Sequence, residues 1–241
     1  MVKLEVKNIS FSYQIGFNSE VKVLDNLNLV ANSGEIIGLI GKNGSGKTTL
    51  LNLLKGALPI QKGTINVIND KGVTKSFSIP LVSQIVDANL FPTLTVFENF
   101  SIIKNKKSNP FNKYKSKAIY EYCFNLLKKA DMELENKIDE QIRFLSGGQK
   151  QAISILFSLE HDLPILLMDE PTASLDPFVS KKVIDLAIKE IIERNGILIL
   201  VSHNLQDILK YSTSIFVLKK GKLTKIDKEN YNNEADLMKL M

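Results

Sequence analysis

The chain has 241 residues, 44% hydrophobic and 24% charged, an ordinary globular composition with room for one large domain or a domain carrying an inserted lobe. Its single cysteine, Cys123, excludes an intrachain disulfide, and one cysteine with two histidines argues against a structural zinc site. The net charge of +5 is mild: it permits an anionic partner without demanding nucleic acid, and no apolar run approaches the ~18 residues of a membrane span.

The opening residues Met1-Val-Lys-Leu-Glu-Val-Lys alternate apolar and charged side chains, which predicts a half-exposed strand over 2–6 rather than the apolar core of a secretory leader. A cytoplasmic protein is expected, with any membrane served by a different chain. Residues 21–24 and 27–30 predict further strands, and Asn32-Ser33-Gly34 a turn. The apolar run 35–40 leads into a glycine-rich loop, and Leu50, Leu53 and Leu54 give 47–55 a helical spacing. Short strands are predicted at 63–68 and 79–82. From Phe91-Pro92 to Gln141 the chain turns polar, lysine-rich and helical in pattern, with helices expected at 96–103 and 115–130. This stretch reads as a lobe inserted into an α/β core, with Cys123 as a small buried hydrophobe on the second helix. Beyond it come a helix at 147–160, a buried strand at 165–168, a helix at 177–194 and a buried strand at 197–201. A helix at 205–210 and strands at 215–218 and 223–226 around Lys220-Gly221 follow. The alternation favours a mostly parallel sheet. Residues after 228 are acidic and amide-rich and are expected at the periphery.

The segment Gly41-Lys42-Asn43-Gly44-Ser45-Gly46-Lys47-Thr48-Thr49 contains the full G-x-x-x-x-G-K-S/T pattern between a strand and a helix start. Triphosphate binding needs many donors converging on a small anionic volume. Gly41, Gly44 and Gly46 let successive N–H groups turn inward, the helix adds its positive end, Lys47 adds a full charge and the Thr48 hydroxyl suits Mg²⁺. A plain glycine turn would not need the lysine and hydroxyl at that spacing.

Asp169-Glu170 end an apolar strand, where ligands of open α/β sheets gather. Asp169 can hold Mg²⁺ through its water shell and Glu170 can polarise a water for attack on the γ-phosphate. Without the phosphate loop, two carboxylates at a strand end would read as caps. Ser146-Gly147-Gly148-Gln149 precede a helix. Ser146 suits an N-cap, and the glycines leave backbone donors uncovered, an arrangement equally compatible with a simple cap and with a γ-phosphate receptor.

The string Leu145-Ser-Gly-Gly-Gln149 upstream of Ile165-Leu-Leu-Met-Asp169-Glu170 resembles the ATP-binding cassette (ABC) ATPases. The resemblance covers nearly the whole chain, because Tyr13, the loop 41–49, Gln84, the 145–149 string, Asp169-Glu170, Asp176 and His203 occur in the family's order. It implies a P-loop NTPase (RecA-like) α/β core with an N-terminal antiparallel β subdomain and an inserted α-helical subdomain. The core would comprise 1–84 and 150–228, the lobe 85–149, and the peripheral tail 229–241. It further implies an ATP- and Mg²⁺-dependent ATPase in which Tyr13 stacks on adenine and Phe11 faces the core. Gln84 would reach the metal or attacking water, with Thr48 and Asp169 as the other metal-side residues. His203 would contact the γ-phosphate, whereas His161 has no such context. Ser146, Gly147, Gly148 and Gln149 would cover the ATP held by a partner chain, with Asp176 at the dimer seam.

The implied partners are a second copy or a similar ATPase and integral membrane permease subunits, with an extracytoplasmic solute-binding protein as a further candidate and no nucleic acid. The implied location is peripheral, on the cytoplasmic face of the membrane. A groove near 84–100 would receive the permease. Phe91, Phe97 and Phe100 are candidates to line it, against the alternative that two of them form the lobe's own core. Lys104, Lys106, Lys107, Lys113, Lys115 and Lys117 suit a solvated loop or a membrane surface. Two departures are Gln151-Ala152 after Lys150, where many members carry a second basic residue, and Ala173-Ser174 before Leu175-Asp176. They resemble a bacterial importer subgroup for amino-acid-type solutes, tryptophan or tyrosine among the candidates. A soluble ABC ATPase, such as the scaffold ATPase of iron–sulfur cluster assembly, uses the same motifs and is the competing reading.

Overall fold

The alternation that opens the chain persists for twelve residues in strand β1 (Val2–Tyr13), but not in a single phase. Val2, Leu4 and Val6 point into the core, Asn8 turns to a left-handed φ of 54°, and Ile9 and Phe11 then continue the same buried face. This bulge breaks the period of two, so the pattern alone stops at residue 6. Its neighbour β2 (Val21–Asn32) behaves likewise: Asn26, at φ 51°, offsets Leu24 from Leu27 and fuses the two short strands expected there into one. The computed structural model describes residues 1–14, 16, 20–70, 72–74, 78–85, 89–104 and 117–241.

The chain forms two compact units. The first comprises Met1–Leu81, Leu163–Glu170 and Ile191–Met241. It holds an antiparallel sheet in the order β2-β1-β4-β5, with β4 (Lys62–Asn69) and the three-residue edge strand β5 (Gly72–Thr74), too short to leave a pattern in the sequence. A six-stranded sheet has the order β10-β9-β3-β8-β7-β6. Its strands are β3 (Ile36–Ile40), β6 (Leu81–Ser83), β7 (Ile165–Asp169), β8 (Ile197–Val201), β9 (Ser214–Lys219) and β10 (Lys222–Ile226). The unit boundary falls within β6, after Leu81. Strands β7, β8, β3 and β9 run parallel, and β10 returns antiparallel beside β9. Every residue of β3 and β8 is buried, as expected for parallel strands covered on both faces.

Helix α1 (Lys47–Lys55) starts and stops at glycines, Gly46 and Gly56, both left-handed. Leu50, Leu51, Leu53 and Leu54 bury its inner face. Helix α6 (Leu205–Tyr211) is capped by Asn204, whose side chain accepts from Gln206 N. The residues after 228, expected at the periphery, carry a 3-10 turn at Lys228–Asn230 and a further helix, α7 (Glu234–Leu240). Asn233 caps α7, and Leu237 is fully buried. The cap followed by Glu234 and Asp236 is the helix-start signal that the polar composition obscures.

The second unit, Val82–Asp162 with Pro171–Glu190, is helical. It contains α2 (Val96–Lys104), α3 (Lys117–Lys128), α4 (Gly147–Ser158) and most of α5 (Pro177–Glu193). Phe100, Cys123, Leu127, Leu134, Ile142, Leu156 and Phe157 anchor its core. Burial pushes the Cys123 thiol up to about 12, which keeps it protonated and unreactive. Of the three phenylalanines considered for a partner groove, Phe100 is fully buried and Phe97 packs against Tyr120, while Phe91 stays exposed. Two buried carboxylates are matched by lysines: Glu160 by Lys104, and Glu190 by Lys129 at 2.7 Å. Lys117 is exposed beside Glu121, and Lys106, Lys107, Lys113 and Lys115 lie outside the described residues.

Candidate functional site

Between β3 and α1 the chain must reverse while keeping its amides free. A Cβ on Gly41 would overlap the Leu218 carbonyl, and Gly46, at φ 106°, would bring one within 3.0 Å of both Leu24 and Val23. The loop backbone is therefore seated against β2 and β9 in a shape that side chains forbid. Within it the Ser45 hydroxyl is buried and has no hydrogen-bond partner among the described residues. That is an unfilled demand inside a ring of backbone donors, the condition an anionic ligand relieves.

Lys47, only 9% exposed, opens α1. Its ammonium folds back on its own loop, donating to Gly41 O at 2.7 Å and Lys42 O at 3.2 Å. Burial lowers its pKa, and the negative charges of Glu170 and then Asp169 work against that shift. One residue on, the Thr48 hydroxyl donates to Asp169 Oδ2 at 3.2 Å. Asp169 ends β7, and burial raises its pKa, opposed first by the Thr48 hydrogen bond and then by Lys47. A buried cation and a half-buried anion thus flank one hydroxyl, each held away from its comfortable protonation behaviour by loss of water.

Glu170 follows in a left-handed conformation, φ 50°, which is uncommon for a residue with a side chain. Its backbone N–H donates to Val201 O at 2.9 Å, which holds the turn against β8. Its Oε1 lies 2.8 Å from His203 Nε2, two residues past the end of β8. The register Asp169↔Val201 between β7 and β8 brings the two strand ends level, so an acid and an imidazole 33 positions apart meet. A cleft of about 310 Å³ opens beside the loop, lined by Lys42, Asn43, Lys47 and His203, by Met238 of α7 and by Met241 just beyond it. Nothing in the sequence pattern points to those two methionines.

Tyr13 lies at the end of β1, 41% exposed, edge-on to the buried Phe11 with ring centroids 4.9 Å apart. Its hydroxyl pairs with Thr49 Oγ1 at 3.2 Å, tying the strand end to α1. Tyr13, the loop 41–49, Asp169, Glu170 and His203 therefore belong to the first unit. His161 is half-buried.

Gln84, the 145–149 string and Asp176 belong to the second unit. Gln84 is exposed immediately after β6. Ser146 and Gln149 form a reciprocal capping box on α4, Ser146 Oγ accepting from Gln149 N at 3.3 Å and Gln149 Oε1 from Ser146 N at 3.1 Å. Ser146 and Gly147 are exposed. Gly148 is buried, and a Cβ there would overlap Val179. The Asp176 carboxylate accepts from Phe178 N and Val179 N and so starts α5.

An all-oxygen pair of hydroxyl and carboxylate beside a phosphate loop suits Mg²⁺, which takes few protein ligands and completes its shell with water and phosphate. Among the described residues there is no cluster of three or more His, Cys, Asp or Glu that would hold a metal without such help. No helix of the described residues is long and apolar enough to cross a membrane.

Comparison with known proteins meets this geometry. A family model described as ABC transporter matches residues 24–173, a span that includes the phosphate loop, the 145–149 string and Asp169-Glu170. The tyrosine transport ATP-binding protein of Clostridioides difficile (strain R20291) is 32% identical over 236 residues, covering 95% of this chain and 94% of its own length. The ribose import ATP-binding protein RbsA of Lactococcus lactis subsp. lactis (strain IL1403) is 33% identical over 247 residues; the match takes in 100% of this chain but 48% of that protein, so the chain spans about half its length. Among solved structures, a dimeric ATP-binding cassette in a post-hydrolysis state, bound to ADP and Pi, aligns with a TM-score of 0.74 at 26% identity, over 93% of this chain and 99% of that one.

Proposed function

This chain belongs to the ABC transporter family as an ATP-binding cassette that hydrolyses ATP, and we propose that two copies close head-to-tail around two nucleotides to drive a separate permease of a bacterial importer. The observation that carries this reading is the convergence of Lys47, Thr48, Asp169, Glu170 and His203 on one side of the phosphate loop, with Thr48 to Asp169 at 3.2 Å and Glu170 to His203 at 2.8 Å.

In this reading Lys47 and the loop amides hold the β- and γ-phosphates, and the amide of the capping segment around Gly147 faces the γ-phosphate of the partner's nucleotide. Thr48 and Asp169 would hold Mg²⁺, Asp169 through its water shell, and the metal would neutralise charge on the phosphates. Gln84 would reach the metal or the attacking water when ATP is bound. Glu170 accepts the proton of an attacking water as the water oxygen joins the γ-phosphorus and the bond to the β–γ bridging oxygen breaks, leaving ADP and phosphate. His203 keeps the Glu170 carboxylate aimed and reads the γ-phosphate. Tyr13 stacks on adenine, and Asp176, by fixing the start of α5, shapes the seam.

The permease sets the solute. Identities of 32% and 33% to a tyrosine and a ribose relative do not choose between solutes, but the tyrosine relative matches over nearly its whole length and favours an amino-acid-type substrate. The exposed Phe91 is the candidate among the three phenylalanines for the permease groove. The chain's place is then the cytoplasmic face of the membrane, and co-purification with a multi-span membrane protein separates this reading from a soluble cassette.

Glu170→Gln tests the mechanism. ATP binding is retained, hydrolysis falls by about 10²–10⁴, and the ATP-bound dimer accumulates on size exclusion. Unchanged turnover removes Glu170 as the base.

A further inference from the structure

One turn into α4, Gln151 is fully buried among apolar neighbours, with Ala152, Ile153, Ile155 and Leu156 all 0% exposed on the same helix. A buried primary amide is disfavoured against an aliphatic side chain of equal size unless its groups find partners. Gln151 finds one. Its Nε2 donates to Ser83 O at 3.1 Å, across 68 positions of sequence, while its Oε1 has no hydrogen-bond partner among the described residues. Packing alone would be served better by leucine or methionine. The residue therefore has a reason to be polar, and that reason is the Ser83 carbonyl.

Ser83 is the last residue of β6, and Gln84 follows it directly. The Ser83 hydroxyl also donates to Ile85 O at 3.3 Å. The backbone on either side of Gln84 is thus held twice, locally by the Ser83 turn and from α4 by Gln151. Gln84 itself is exposed beside this anchor. The same helix α4 carries at its N-terminus the Ser146–Gln149 capping box, one to two turns from Gln151.

We propose that Gln151 is a positioning residue for ATP turnover: its amide ties the helix that presents Ser146 to the backbone that presents Gln84. This rests on the roles proposed above for Gln84 and Ser146. In a head-to-tail dimer Gln84 serves the nucleotide of its own chain and Ser146 that of the partner, so one hydrogen bond links the chain's two half-sites. A helix transmits displacement as a rigid element, and a single bond can yield without unfolding it. Loss of the donor leaves ATP capture by Lys47 untouched and loosens Gln84.

The test is a double-mutant cycle on the full-length protein. Gln151→Met keeps volume and removes the donor, and Gln84→Ala removes the side chain it positions. Gln151→Met is expected to lower kcat about tenfold, with KM for ATP changed less than about twofold. The double variant is expected to match Gln84→Ala alone. Amide hydrogen exchange in the peptide spanning Gln84 rises in Gln151→Met. Gln151→Leu, which likewise lacks a donor, repeats the cycle if the methionine variant does not fold. Wild-type kcat in Gln151→Met, or losses that multiply in the double variant, overturns the proposal. Wild-type turnover in Gln84→Ala alone removes instead the role of Gln84 on which it rests.

Discussion

The two glycine-bearing segments of this chain use the same residue differently: Gly41 and Gly46 shape a loop, whereas Gly148 makes room for Val179 beside a regular helix and Gly147 is nearly unconstrained. In the loop 41–49 the glycines are conformational requirements: Gly46 is left-handed, and Gly41 abuts the Leu218 carbonyl. Around that backbone Lys47 donates to the Gly41 carbonyl, and Thr48 donates to Asp169. In the segment 145–149, Gly147 has no left-handed backbone, and Ser146 spends its hydroxyl on capping its own helix. The first segment is a site in itself. The second is a well-capped helix end, which on the proposed reading would become a site only against a nucleotide brought by another chain. A site built from neighbouring residues announces itself in sequence, whereas a segment proposed to act on a partner's nucleotide looks like ordinary capping.

The largest effects separate the segments outright. Lys47→Ala is expected to abolish ATP binding by the isolated chain, whereas Ser146→Arg leaves that binding within about twofold and lowers turnover at least about 10²-fold. Equilibrium nucleotide binding and steady-state hydrolysis read the two. A mixture of the two variants retains one intact composite site, so turnover that neither variant shows alone is expected to return, and its absence would count against the head-to-tail arrangement.

A smaller contrast concerns stability. Gly46→Ala forces a Cβ into a left-handed position against Leu24 and Val23 and is expected to destabilise by about 1–3 kcal/mol. Gly147→Ala meets only Leu175 Cδ2, at 3.2 Å, and is expected to stay within about 1 kcal/mol of wild type while impairing turnover. Equal losses in chemical denaturation would erase the distinction between a required and a permitted glycine.

The smallest effect is electrostatic. Burial raises the Asp169 pKa, so the folded chain holds that proton more tightly than the unfolded chain. Stability therefore falls as pH rises from the ordinary carboxylate value through the raised folded value, and the penalty is fully present above it. Asp169→Asn keeps an acceptor for Thr48 and removes the buried charge. The nucleotide-free variant should melt about 2 °C higher at pH 7 and lose that part of the acid-side slope, even though hydrolysis is impaired. A lower melting temperature at neutral pH would show that the Lys47 cation needs Asp169 more than burial disfavours it.

Legibility in the sequence followed locality. The runs at 35–40, 165–168 and 197–201 were readable as buried strands because apolar continuity is itself the requirement for a strand covered on both faces. Helix α1 was readable to the residue because glycines bound it at both ends. The long antiparallel strands were not, since Asn8 and Asn26 carry bulges that reset the alternation. Helix α7 was hidden because a short helix with one fully buried residue, Leu237, leaves no periodic stripe.

By itself the sequence determined the phosphate loop, the parallel-sheet class and the acidic strand end, since each depends on neighbours within a few residues. Only the tertiary structure decided that Glu170 meets His203, that Thr48 meets Asp169 and that Gln151 meets Ser83. Those pairs are 33, 121 and 68 positions apart, and strand register and helix packing bring them together, neither of which is written in local spacing.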